Sequence, residues 1–183
     1  RSYLPHVAAP FFPHVPAAGV AALTALEPVG LAPRLCADLH GDFGQALIYY
    51  FVDGATGYED AEGVAGLLAR VHNIPVPAGI RRGDNGSEDL LKTSEAIISV
   101  ISVNTEEHKS FSRLLDVLTV QDAIEPIRPH LVHSDPVATN LVNAPQGTML
   151  IDWQCPCSGA PCEDLAVTLY PSTRNNNGCA ETS

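Results

Sequence analysis

Basic residues are scarce in this sequence, and lysine is especially rare. The chain contains 10 Lys and Arg residues against 21 Asp and Glu residues, which gives a formal net charge of −11 at pH 7. Binding to nucleic acid relies on Lys and Arg side chains that neutralise phosphates, so this balance argues against a nucleic-acid partner. An acidic surface is better suited to attract a cationic small molecule.

Long hydrophobic runs are also missing. No stretch approaches the roughly 20 apolar residues of a membrane-spanning helix, and no early segment has the form of a signal peptide. The five cysteines are an odd number, and their crowding near residue 157 is not typical of the disulfide framework of a secreted protein. These absences predict a soluble, cytoplasmic protein with no membrane partner.

The remaining composition is that of a folded protein. Hydrophobic residues make up 45% of the chain and charged residues 17%, which is enough apolar material for a core. A length of 183 residues suits one domain, or one lobe and part of another. Because Arg1 stands where an initiator Met would be expected, we expect the start to be a cut.

Hydrophobic periodicity predicts a mixture of helices and short strands. Helices are predicted over residues 17–26, 59–72, 88–103 and 107–125. Strand character is predicted for the segment LAPRLCADL, for a buried run ALIYYFV over 46–52, and for a hairpin that turns at residues 145–147. The proline-rich lead-in over residues 1–16 and the polar tail after Tyr170 are predicted to be irregular.

Polar residues with potential chemistry are concentrated in the hairpin region. His133, Asp135, Asn140 and Asp152 lie within twenty positions, and Asp152 follows an apolar strand. Magnesium prefers oxygen ligands, which Asn140 and Asp152 can supply, while Asp135 is left free for a substrate. Phosphoryl transfer needs a group beside the attacking hydroxyl and cations beside the phosphate, so one loop and one hairpin can deliver both.

The segments LVHSDPVATNLV and LIDWQCPCSGAPCEDLA resemble the catalytic and metal-binding segments of the aminoglycoside phosphotransferase and choline kinase family. The resemblance extends more weakly over residues 20–170. It implies an α+β, protein-kinase-like two-lobe fold, with a partial small lobe and hinge over residues 1–55 and an incomplete large lobe over 56–183. It also implies ATP and Mg²⁺ as cofactors and a hydroxyl-bearing acceptor similar to choline, ethanolamine, thiamine or an aminoglycoside.

The same resemblance implies roles for individual residues. Asp135 would be the catalytic aspartate, and Asn140 and Asp152 would be the magnesium ligands. His133 and Asp164 would support the catalytic loop. The backbone that contacts adenine in this family would be contributed by three consecutive hinge residues, Tyr50, Phe51 and Val52.

The sequence also departs from the family pattern. Ser134 replaces the glycine that usually follows the loop histidine, and Gly19 falls where a glutamate is expected to pair with the ATP-positioning lysine. The only lysines, Lys92 and Lys109, follow the hinge. These differences indicate a relative truncated at both ends or a degenerate one, and they leave open a pseudokinase that binds nucleotide without catalysis.

Other interpretations of the same residues remain open at this point. His130, His133 and Asp135 are a possible ligand set for a zinc or iron hydrolase. Tyr50 and Phe51 can belong to the core of a buried strand instead of an adenine site. The clustered cysteines, which fit zinc spacing poorly and suit buried free thiols better, are Cys155, Cys157 and Cys162.

Overall fold

The computed structural model describes residues 15–42, 44–58, 60–100, 105–119 and 123–169. Predictions for residues 1–14 and for the tail after Tyr170 lie outside these residues. The helices are α1 (Pro16–Leu26), α2 (Ala61–His72), α3 (Ser87–Ser99), α4 (Glu106–Thr119) and α5 (Cys162–Leu169). The strands are β1 (Leu35–Gly41), β2 (Gly44–Tyr49), β3 (Ala55–Thr56), β4 (Arg81–Arg82), β5 (His130–Val132), β6 (Leu141–Ala144), β7 (Gly147–Leu150) and β8 (Cys157–Gly159).

The strands form three small sheets. An antiparallel hairpin joins β1 and β2, and β6 lies between β3 and β7 in a second, antiparallel sheet. In the third sheet β8 pairs with β5 in antiparallel orientation and with β4 in parallel. Within the described residues, no helix is both long enough and apolar enough to cross a membrane.

The amphipathic helix α2 packs against the segments that lead to the site. Its N-terminus is capped by the side chain of Asp60, which accepts a hydrogen bond from the Gly63 N–H at 2.6 Å. The predicted apolar face of this helix is confirmed, because its four apolar residues are all buried. That face packs in one core with Leu131, Leu141 and Leu150, which belong to β5, β6 and β7. The core therefore fixes the loop and the hairpin relative to each other.

The prediction of a buried strand over 46–52 is wrong in two respects, because none of these residues is buried and the last three lie outside the strand. Strand β2 ends at Tyr49, and the side chain of Phe51 is 88% exposed. The strand ends at Tyr49 because Tyr49 pairs with Leu35, the first residue of β1, and Pro33, two positions before Leu35, has no N–H for a sheet. The Tyr50 N–H still donates to the Arg34 carbonyl at 2.9 Å, and the Arg34 guanidinium lies 4.0 Å from the Tyr50 ring centroid.

Other boundaries also differ from the predictions. Helix α3 ends at Ser99 instead of residue 103, and the helix predicted to reach residue 125 has ended before residues 123–125, which are irregular. Residues 101–104 and 120–122 lie outside the described part of the chain. Strand β4 is absent from the predicted strands, and it forms because Arg81 and Arg82 pair with β8 far along the sequence. No local pattern signals such a pairing.

Candidate active site

Two segments of the chain meet at the candidate site. Strand β5 leads into a loop that ends in a 3-10 turn at Asn140, and the hairpin of β6 and β7 leads to Asp152. The backbone N–H of Ile151 donates to the carbonyl of Asn140 at 2.9 Å, which ties the end of the hairpin to the end of the loop. Asn140 and Ile151, which are eleven positions apart in sequence, are thereby adjacent.

Asp135 and Asn140 are in direct contact. The Asn140 amide nitrogen donates to the Asp135 backbone oxygen at 3.0 Å and to its carboxylate Oδ2 at 3.2 Å. Asn140 is only 8% exposed, so its amide is held in a fixed orientation. With the nitrogen engaged by Asp135, the amide oxygen Oδ1 is the atom that remains to bind a cation.

Asp152 has a left-handed backbone conformation, with φ = 65°, that non-glycine residues seldom adopt. Its carboxylate Oδ1 accepts a hydrogen bond from the Gln154 side-chain amide, and its backbone carbonyl accepts from the Gln154 N–H at 2.8 Å. Positive φ at a non-glycine residue is often found at functional sites. The second carboxylate oxygen of Asp152 is thus a further candidate cation ligand.

The carboxylate of Asp152 is close enough to Asp135 to affect it electrostatically. Partial burial raises the pKa of the Asp135 carboxyl, and the negative charge of Asp152 raises it further, while nearby His133 opposes the shift. Asp135 nevertheless lies at the surface, where a substrate can reach it. A raised pKa makes a carboxylate a better proton acceptor.

The loop before Asp135 is supported by the buried carboxylate of Asp164. Oδ1 accepts the Ser134 N–H at 2.8 Å, and Oδ2 accepts the His133 N–H at 3.1 Å. Oδ2 also lies 2.9 Å from Nε2 of His72. Asp164 is completely buried in α5. One carboxylate therefore fixes two consecutive backbone groups beside the predicted catalytic residue.

His133 connects the two segments of the site. Its Nδ1 accepts the Asp135 N–H at 3.2 Å, so its Nε2 carries the proton and donates to the Ile151 carbonyl at 2.9 Å. The ring also meets Trp153 edge-on at 4.4 Å. Burial lowers the pKa of this imidazole, although the charge of Asp164 opposes the shift. Both ring nitrogens are used within the protein.

These hydrogen bonds count against the alternative metal site. Both nitrogens of His133 have partners, and Nδ1 of His130 lies 2.7 Å from the His72 carbonyl. Across the described ranges, no group of three or more His, Cys, Asp or Glu side chains is arranged to hold a metal ion. The proposed ligand set of His130, His133 and Asp135 is therefore not formed.

The cysteines of the described residues are free thiols. Cys157 is buried, and its Sγ lies 3.3 Å from Ser134 Oγ and 3.5 Å from Glu163 Oε2. Burial and the neighbouring Glu163 raise the pKa of this thiol to about 12. Since metal binding requires a thiolate, Cys157 behaves as a packing residue.

A family model described as the phosphotransferase enzyme family matches residues 11–182. The chain belongs to this family. No curated protein sequence matches it. Its fold is the α+β, protein-kinase-like fold predicted above, because solved members of this class superpose on most of the chain.

Three solved structures illustrate the similarity. A choline/ethanolamine kinase family protein from Mesorhizobium loti is 14% identical with a TM-score of 0.59, covering 85% of this chain and 54% of that one. An aminoglycoside phosphotransferase from Streptomyces rimosus is 18% identical with a TM-score of 0.54, covering 83% and 65%. A choline kinase from Streptococcus pneumoniae is 18% identical with a TM-score of 0.56, covering 89% and 60%. The chain thus spans between half and two thirds of these proteins.

The predicted adenine-binding segment lies directly after β2. The Tyr50 N–H is already used by Arg34, whereas the N–H groups of Phe51 and Val52 make no hydrogen bond with another described residue. Tyr49, which the sequence analysis did not select, interacts with the site. Burial raises the pKa of its phenol, and the charge of Asp152 adds to the shift.

Gly19 packs directly against the site. A Cβ atom at this position of α1 would lie 2.7 Å from the backbone oxygen of Trp153 and 3.1 Å from the Leu47 side chain. Real Cβ atoms do not approach a backbone oxygen so closely, so the described packing leaves no room for a side chain. A glutamate at this position would require α1 to move.

Proposed function

We propose that this chain forms the catalytic core of an ATP-dependent phosphotransferase that acts on a hydroxyl group of a small metabolite. The contact between Asp135 and Asn140 carries the proposal, because it places a surface carboxylate beside an amide whose oxygen can bind a cation. The bond from Ile151 to Asn140 brings Asp152 to the same place. Family membership supports the same class of reaction.

In this proposal Asp135 is the catalytic residue. It accepts the proton of the acceptor hydroxyl while the hydroxyl oxygen forms a bond to the γ-phosphorus and the bond from phosphorus to ADP breaks. The raised pKa of Asp135 favours proton acceptance. His133 and Asp164 act by holding the loop.

Asn140 and Asp152 are the proposed magnesium ligands. Their available atoms are an amide oxygen and a carboxylate oxygen, which suit a hard divalent cation and not a soft transition metal. When bound, Mg²⁺ would neutralise negative charge on the transferred phosphate. The left-handed backbone of Asp152 and the burial of Asn140 restrict both side chains before any ligand arrives.

ATP would approach the backbone of Tyr50, Phe51 and Val52. The free N–H groups of Phe51 and Val52 support this assignment, and the exposure of Phe51 leaves its side chain available to a ligand. The Streptomyces rimosus enzyme has been solved with ADP and streptomycin, and a relative with AMP. The division into a partial small lobe over residues 1–55 and a large lobe over 56–183 belongs to this proposal.

The acceptor is proposed to be a small, hydroxyl-bearing and cationic molecule of the choline, ethanolamine, thiamine or aminoglycoside kind. The net charge of −11 supports a cation. Two solved proteins of similar fold are named as a choline kinase and an aminoglycoside phosphotransferase. A cytoplasmic location is proposed because the described cysteines are free thiols.

A non-catalytic nucleotide-binding module is the second candidate. The tight packing of Gly19 favours it, because the glutamate that would hold an ATP-positioning lysine does not fit there. The two candidates share a nucleotide site and differ only in turnover.

Phosphate transfer from ATP to a panel of cationic alcohols and aminoglycosides separates the candidates. The enzyme hypothesis expects Mg²⁺-dependent transfer that Asp135→Asn lowers by about 100-fold or more, since a general base contributes at least that factor. Asp42→Asn, at the exposed turn after β1, is the matched control and should leave the rate unchanged. Binding of ATP without transfer to any acceptor would favour the non-catalytic module. Absence of both binding and transfer would contradict both candidates.

A further inference from the structure

Ser134 adopts a backbone conformation that usually requires glycine. Its φ is 71°, and it directly precedes Asp135, so its conformation sets the direction in which the Asp135 backbone continues. Only one other non-glycine residue in the described part of the chain, Asp152, has a positive φ. A serine needs support from its surroundings to remain in this conformation.

The support comes from two sides of a buried pocket. On the backbone side, the Ser134 N–H donates to Asp164. On the side-chain side, the Ser134 hydroxyl lies 3.3 Å from Cys157 Sγ, which in turn lies 3.5 Å from Glu163 Oε2. Burial raises the pKa of Glu163, and the nearby Ser134 hydroxyl opposes the rise. The three side chains form a chain of polar contacts beneath the loop, from Ser134 through Cys157 to Glu163.

Two glycines shape this pocket. A Cβ at Gly83 would collide with Cys157 Sγ, and a Cβ at Gly159 would lie 3.3 Å from the same sulfur and 3.5 Å from Glu163 Oε2. The thiol therefore occupies space that a side chain at position 83 would fill. The positive charge of Arg81 also acts on Glu163.

We propose that Glu163 is a positioning residue for Asp135: together with Cys157 it holds the Ser134 hydroxyl, and thereby keeps Ser134 in the left-handed conformation that directs the catalytic loop. This inference rests on the proposed role of Asp135. The effects of Glu163 and of residue 134 should be coupled, because a glycine at position 134 adopts the same conformation without help. Glu163 should therefore matter only while position 134 is a serine.

A double-mutant cycle tests this coupling. Glu163→Ala should lower kcat about 10-fold with little change in the KM for ATP, and Glu163→Gln, which keeps an acceptor oxygen, should recover most of the loss. Ser134→Gly should retain kcat within about 3-fold of the starting protein. In the Ser134→Gly background, Glu163→Ala should cause no further loss. Equal losses from Glu163→Ala in both backgrounds would overturn the inference.

Hydrogen exchange provides a readout that does not depend on turnover. The amides of His133, Ser134 and Asp135 are bonded to Asp164 and to the His133 ring, so they should be protected in the starting protein. Glu163→Ala should raise their exchange rates about 10-fold, and Ser134→Gly should remove this effect. Glu95→Ala, at an exposed position of α3, is the control and should change nothing.

The two readouts separate the possible failures. If the chain turns over no acceptor but exchange responds to Glu163→Ala only in the serine background, the proposed function fails and the positioning role of Glu163 stands. If exchange near Ser134 is indifferent to Glu163→Ala, the positioning role is refuted whatever the activity. A circular dichroism melt of each variant shows whether a loss reflects unfolding.

Discussion

The carboxylate of Asp164 accepts hydrogen bonds from two consecutive N–H groups and meets the ring of His72, entirely away from solvent. A buried acceptor with several donors is costly to remove, because each donor left behind has lost its hydration. The order of the loop before Asp135 therefore depends on a residue about thirty positions away in sequence. The Asp164 carboxylate therefore connects the buried interior to the loop of the candidate site.

Asp164→Asn should destabilise the protein strongly. The amide would turn an N–H group towards donors, so we expect the free energy of unfolding to fall by about 3 kcal/mol. Urea denaturation followed by tryptophan fluorescence measures the change. Glu95→Gln, an exposed change on α3, should stay within about 0.5 kcal/mol of the starting protein. Equal stabilities for the two variants would show that Asp164 has no supporting role.

His133 should make stability depend on pH. Burial lowers its pKa below the ordinary 6.5, although Asp164, Asp135 and Asp152 oppose the shift. The unfolded chain therefore binds a proton at a higher pH than the folded chain does. The stability associated with a neutral His133 is present above pH 6.5 and is lost as the pH falls below it.

The stability advantage of the native chain over His133→Asn should therefore shrink between pH 7 and pH 5. The difference in free energy of unfolding between the two proteins should change by at most about 1.4 kcal/mol per pH unit. Urea titrations at several pH values measure it, and Leu68→Ala, a buried apolar change, should show a difference independent of pH. If the stability difference grew as the pH fell, His133 would bind a proton more readily in the folded chain than in the unfolded one, which would contradict the effect of its burial.

At the scale of elements, helix α1 carries an unusual constraint. Alanine normally stabilises a helix relative to glycine, by roughly 1 kcal/mol. At Gly19 this gain is opposed by the approach of a Cβ to the Trp153 carbonyl at 2.7 Å. At Gly66, an exposed position of α2, a Cβ would meet no atom within 4 Å. The two helices therefore offer a matched pair of substitutions.

Gly66→Ala should raise the free energy of unfolding by about 0.5–1 kcal/mol. Gly19→Ala should lower it, by about 1–3 kcal/mol, because the helix must shift against a packed backbone. Thermal melts of both variants give the comparison. A stabilising Gly19→Ala would show that α1 has room to move, and would weaken the case that the glutamate position is structurally closed.

Sequence periodicity predicted the elements that the local sequence determines. The apolar spacing of α2 predicted both the helix and its buried face, and the turn signals at 145–147 predicted the hairpin of β6 and β7. Strand β4 could not be predicted, because only pairing with β8 makes it a strand. The end of β2 depends on where its partner begins, so apolar character alone placed the boundary too late.

Asp135 and Asn140 were selected by their place in one sequence motif, and their side chains hydrogen-bond to each other in the structure. Interactions between distant segments had no such signal: Tyr49 was hidden at the end of an apolar run, and the Glu163 carboxyl gains its partners only when α5 packs below the loop. The roles assigned to these residues remain predictions until they are measured.

Considered as a whole, the molecule combines a kinase-like fold with a candidate site that buried hydrogen bonds hold in place. The loop and the hairpin are fixed by buried hydrogen bonds, whereas Gly19 excludes the expected glutamate. The bonds around Asp135 and Asn140 need no lysine, so a cation site can persist where catalysis is slow. Both proposed functions therefore depend on nucleotide binding through a divalent cation.

Calorimetric titration with a non-hydrolysable ATP analogue, with and without Mg²⁺, tests that requirement most directly. If Asn140 and Asp152 bind Mg²⁺, binding of the ATP analogue should need Mg²⁺, and Asp152→Asn should weaken it about 10-fold or more. Asparagine tolerates the left-handed conformation of residue 152, so the backbone should be preserved, and Asp42→Asn should leave the affinity unchanged. Binding that is equally tight without Mg²⁺, or unaffected by Asp152→Asn, would contradict it.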